Sequence, residues 1–72
     1  MDGVKLKEAI SNSGIKLAYM SEQLGLSRSG LYKKINKDTE FTASEIQKVQ
    51  DILRLSDEDR DDIFFDGKVD TQ

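Results

Sequence analysis

Apolar positions recur along this chain in five blocks, each with the spacing of one face of an α-helix. Leu6, Ala9 and Ile10 fall at i, i+3 and i+4, the stripe of an amphipathic helix. They predict a first helix over about 4–13, ended by Gly14 where a left-handed residue is wanted. Ile15 leads into a second helix over about 16–24, with Met20 and Leu24 inward and small Ser21 where two helices approach closely. Gly25 closes it, because the tight turn needs a positive φ. Ser27 is a strong N-cap for a third helix over about 28–36, anchored by Leu31 and Ile35 four residues apart. Gly30 inside that helix costs about 1 kcal/mol relative to alanine, and points either to a close helix approach or to a close approach of the backbone to a ligand.

A loop from Lys37 to Phe41 precedes the fourth helix, over about 43–54. Thr42 and Glu45 have the spacing of a capping box, and Ile46, Val49, Ile52 and Leu53 form the buried stripe. Ser56 caps a fifth helix over about 57–65, whose first turn carries Asp57, Glu58 and Asp59, matched to the helix dipole. Ile63, Phe64 and Phe65 are expected to close the core, and 66–72 to form a flexible polar tail. The expected fold is all-α: a single compact domain, residues 1–65, of five short helices.

Composition narrows the chemistry. The 72 residues include no cysteine, histidine or proline. Disulfides, thiolate or imidazole metal ligands and nucleophile–histidine pairs are thereby excluded. So small a domain has little room for a substrate pocket. The expectation is a non-enzyme with no cofactor, no metal and no small-molecule ligand. The acidic run Asp57, Glu58, Asp59, Asp61 and Asp62 lacks the alternating loop and terminal glutamate of a calcium-binding hand, and is expected to be a solvated helix start. No apolar run approaches a membrane span and no signal segment opens the chain, which fits the cytoplasm.

Charge adds a second layer. The net charge is −3, but residues 1–37 carry seven basic against three acidic side chains, and residues 38–72 four against eleven. Such a split predicts one basic and one acidic face. On the third helix Arg28, Ser29, Tyr32, Lys33 and Asn36 fall on the side away from Leu31 and Ile35. Two short helices around a glycine turn, the second opening on a serine cap and carrying a polar, basic face, make the pattern of a helix-turn-helix. In that setting Arg28 suits a bidentate contact to guanine. Ser29 and Asn36 suit phosphate or adaptable contacts, and Lys33 and Lys34 suit counterion release.

The run LGLSRSGLYKKIN, Leu24 to Asn36, resembles the helix-turn-helix of the lambda-repressor-like (XRE, Cro and CI) regulators of temperate phages. The segments FTASEIQKVQDILRLS and DIFF resemble the back half of the small regulators in that class. The resemblance spans about Leu6 to Phe65. It implies a transcriptional regulator in a lytic/lysogenic switch, encoded by a phage or prophage, acting in the bacterial host cytoplasm and binding operator DNA through the third helix. It implies base reading near Arg28 and Ser29, an outward face at Tyr32 and Lys33, and a phosphate contact at Asn36, with Lys16, Leu17 and Lys37 flanking the same interface. With no separate dimerisation domain, a homodimer would be weak.

One position departs from that pattern. Where the class most often has glutamine at the first exposed turn of the second helix, this chain has Leu17. Leu17, Tyr19 and Tyr32 suit a protein partner, since apolar and aromatic anchors carry most interface energy. The alternative expectation is an antirepressor that uses the same face to bind a companion phage repressor, and in size and layout the chain resembles the small modulator-of-repression proteins that some phages encode beside their repressors. The other possibility for Leu17 is that it folds back onto the domain.

Overall fold

The computed structural model describes residues 1–65, and the expected tail at 66–72 lies outside the described residues. Five α-helices and no strand are present among them: α1 Gly3–Ser13, α2 Leu17–Leu24, α3 Arg28–Ile35, α4 Ala43–Leu53 and α5 Asp57–Phe64. Each lies within a residue of its expected bounds, because most of their ends, the start of α2 and the end of α5 excepted, are fixed by local hydrogen-bonding devices that the sequence encodes.

Ser27 Oγ accepts the Gly30 N–H at 3.0 Å to start α3, and Ser56 Oγ accepts the Asp59 N–H at 3.0 Å to start α5. The capping box of α4 is complete. Glu45 N–H donates to Thr42 Oγ1 at 3.2 Å and Thr42 N–H donates to Glu45 Oε1 at 2.9 Å. At the start of α1 the cap is Asp2, whose Oδ1 accepts the Lys5 N–H at 3.1 Å. This cap begins the helix at Gly3, one residue earlier than the apolar stripe implies.

Four of the five C-terminal ends use left-handed residues, Gly14, Gly25, Lys37 and Arg54, while α5 ends on Phe65 at φ −121. Gly25 has φ +71 and donates to the Glu22 carbonyl, while Leu26 N–H donates to the Ser21 carbonyl at 2.9 Å. Both bonds of a Schellman motif are thus made. α3 ends the same way, with Lys37 in the glycine place at φ +71 and Asp38 N–H on the Lys33 carbonyl at 2.8 Å.

The core draws two residues from every helix: Leu6 and Ile10, Met20 and Leu24, Leu31 and Ile35, Val49 and Leu53, Ile63 and Phe64. Four of these pairs are i, i+4, so each of those helices buries one narrow stripe. α2 packs on α3 and α4, while α1 lies against α3, α4 and α5. Phe41, in what the pattern reads as a loop, meets Phe64 edge to face with ring centroids 5.5 Å apart. Phe65 departs from the expected core closure: it follows the last turn of α5 and stays 45% exposed. Ser21 is buried and satisfied, its hydroxyl donating to the Ala18 carbonyl at 2.9 Å.

The first and last helices are stitched together. Asp2 N–H donates to the Ile63 carbonyl at 2.7 Å, and Lys5 Nζ pairs with Asp62 at 2.8 Å. Much of the acidic run is engaged in similar contacts. Asp57 accepts from Gln50 Nε2 at 2.8 Å, and Asp61 takes the Arg60 guanidinium at 2.9 Å. No group of three or more carboxylates among the described residues is placed to hold a metal ion. No helix of the described residues is long and apolar enough to cross a membrane.

Candidate nucleic-acid interface

α2 and α3 are separated by three residues, Gly25 to Ser27. At about 100° per residue, Arg28, Ser29, Tyr32, Lys33 and Asn36 share an arc of roughly 140° around α3. All five are exposed, whereas Leu31 and Ile35 are buried. The Arg28 and Lys33 side chains make no hydrogen bond or ion pair among the described residues. The arc is therefore a surface of available donors on a helix whose start is fixed by the Ser27 cap. Ser29 Oγ lies 3.4 Å from Ser27 Oγ and is held at the same end.

Gly30 sits behind this face. A Cβ there would meet the Ser27 hydroxyl at 3.1 Å and no other neighbour within 4 Å. No other helix of the described residues crowds it, which removes the helix-approach explanation. The capping hydroxyl is what a larger residue would disturb.

Lys34 corrects the expectation that it joins Lys33 in releasing counterions. The same 100° step carries it past the arc to the far side of α3. There its Nζ pairs with Glu45 Oε1 at 3.0 Å and donates to the Glu40 carbonyl at 2.8 Å, with the Phe41 ring centroid 5.9 Å away. The two side chains are only 14% and 15% exposed. This pair bolts the last turn of α3 to the first turn of α4.

Burial alone would raise the Glu45 pKa. The Thr42 N–H and the Lys34 ammonium outweigh it and hold the carboxyl below its ordinary value. Because the folded value is the lower one, the stabilisation is complete above the ordinary glutamate range and is lost as pH falls through the folded value. Thermal melts in acid should therefore show Tm falling across that window, and Glu45→Gln should flatten the fall. An unchanged acid limb in Glu45→Gln would exclude the pair as its source.

On α2, Lys16 is exposed at the N-cap position but its side chain makes no capping bond. Among the described residues the first N–H groups of α2 therefore have no capping side chain, the condition under which a helix start accepts an anion. Leu17 is half-buried and packs against the core, as in the fold-back expectation. Tyr19 and Tyr32 are 51% and 49% exposed.

Searches of family models, curated proteins and solved structures found no match. The reading of this face thus depends on its own geometry and on the pattern of its residues.

At the far end of α3, Lys37 Nζ donates to the Met1 carbonyl at 3.3 Å. Asn36 and Lys37 there border an open groove of about 530 Å³ whose other wall is the start of α1, with Asp2, Val4 and Lys7. Lys7 is the residue that sequence reasoning left out, since nothing in its own helix sets it apart from any solvated lysine.

Proposed function

We propose that this chain is a helix-turn-helix regulator of the temperate-phage type, with α2 and α3 forming the helix-turn-helix and α3 lying in the major groove of operator DNA. One observation carries the reading. Arg28 and Lys33 stand exposed and, among the described residues, unengaged on the arc of α3 that its core residues leave free. In the major groove Arg28 would read guanine O6 and N7. Lys33 and Asn36 would meet phosphates, as would the uncapped start of α2 beside Lys16. Tyr32 would lie over the groove wall between them. The protein acts by binding rather than catalysis, in the bacterial cytoplasm and within a lytic/lysogenic switch, as a monomer or weak dimer.

A second reading is favoured by Tyr19 and Tyr32, each about half exposed, and by the net charge of −3. On it, the same face docks on a companion phage repressor and alters that protein's DNA binding. Leu17 would then contribute only the part of its side chain that the core leaves uncovered.

Fluorescence anisotropy with duplexes tiled across the regulatory DNA beside this coding sequence separates the two. The first reading expects the purified protein to bind one duplex, with an affinity that falls steeply as salt rises. A protein that binds none of them, yet forms a stable complex with the purified repressor encoded alongside, replaces the first reading with the second.

A further inference from the structure

The groove between the start of α1 and the end of α3 brings together two lysines from elements far apart in sequence. Gly3 marks the close approach: a Cβ there would lie 3.2 Å from the Ile35 carbonyl, so the first turn of α1 abuts the last turn of α3. Lys7 follows Gly3 by four residues and therefore rises from the same face of α1. It is exposed, makes no ion pair or hydrogen bond among the described residues, and lines the groove with Asn36 and Lys37. Lys37 holds φ +71, where glycine would be unstrained, yet it carries a long cationic side chain into this groove.

We propose that Lys7, Asn36 and Lys37 form a clamp for a backbone phosphate of duplex DNA, extending the contact surface from α3 onto α1. The proposal rests on the DNA-binding reading of α3. Two ammonium groups flanking a neutral amide donor suit a phosphodiester, whose oxygens accept from all three. Asp2, the one carboxylate on the groove wall, caps α1 through the Lys5 N–H and keeps its charge, and the two lysines outnumber it. Lys37 Nζ gives one of its three N–H groups to the Met1 carbonyl and keeps two for a phosphate. Continuity favours DNA over an isolated anion, because Asn36 belongs both to this groove and to the outward arc of α3. Such a contact carries no sequence information and fixes the angle at which α3 enters the groove.

The test needs no operator, since phosphate contacts are made with any duplex. Binding of the full chain to sheared genomic DNA is measured across a salt series for the native protein, Lys7→Gln and Lys48→Gln. Lys48 is exposed on α4 outside the groove and serves as the charge-matched control. Each neutralised phosphate contributes about 0.9 to the slope of log affinity against log salt. Lys7→Gln is expected to make the slope shallower by about that amount, with the slope of Lys48→Gln unchanged. In the native protein the Val4, Asn36 and Lys37 amide resonances should shift as DNA is added.

A native protein that binds DNA while Lys7→Gln keeps the full slope overturns the clamp and leaves the α3 reading standing. An equal loss of slope in both variants also overturns it, because the effect would then be one of overall charge. A native protein that binds no duplex removes the DNA reading and the clamp together.

Discussion

Arg28→Ala should lower affinity for the operator by roughly five- to 160-fold, the equivalent of about 1–3 kcal/mol for one bidentate contact to guanine. The fold should not change. Arg28 is the first residue of α3, is exposed and has no side-chain partner among the described residues. Arginine and alanine are both good helix formers, and surface substitutions of this kind usually stay within about 0.5 kcal/mol. The loss should fall mainly on specific binding. Affinity for unrelated duplex should drop only by the share that one lost cation explains. Anisotropy titrations on operator and scrambled duplex, with circular dichroism as the fold control, check both halves. Equal losses on the two duplexes would make Arg28 a phosphate contact rather than a base reader.

Leu31→Ala acts on the other side of the same helix. Leu31 is 1% exposed and anchors α3 in a core to which every helix brings two residues. Truncating a buried leucine removes about 2–5 kcal/mol, combining lost transfer energy with the cavity left behind. A domain this small, with no cysteine to form a disulfide, has roughly 3–5 kcal/mol in total to lose. Leu31→Ala should therefore leave the chain largely unfolded at room temperature, with the helical signal in circular dichroism much reduced and no cooperative melt. A cooperative transition within a few degrees of the native one would show that Leu31 does not anchor α3.

The helices were legible in the sequence wherever a cap and a stripe agreed. Thr42 with Glu45, Ser27, Ser56 and the two glycines at 14 and 25 mark boundaries through short-range hydrogen bonds, and such bonds need no knowledge of the rest of the fold. Phe41 and Phe65 show where legibility stops. One looks like a loop residue and is packed on Phe64, and the other looks like core and is exposed. Both outcomes depend on how α5 returns to the start of α4, and no local pattern encodes that. Lys34 was readable by strict angular bookkeeping on α3, but its partner Glu45 lies in the next helix. Lys7 was not readable at all, because its significance comes only from the packing of α1 beside α3.

The hydrogen bond from Asp2 to Ile63 and the ion pair from Lys5 to Asp62 also shape how the molecule comes apart. Terminal helices of small domains usually open independently and at low free energy, each peeling away from a stable centre. Here the outermost helices are each other's neighbours, so neither can peel without breaking its links to the other. Freeing either one therefore costs, beyond its own packing, this hydrogen bond and an ion pair whose side chains are about half exposed and which is worth at most about 1 kcal/mol. The orientation of α3, which rests on α1, is thereby linked to α5 as well.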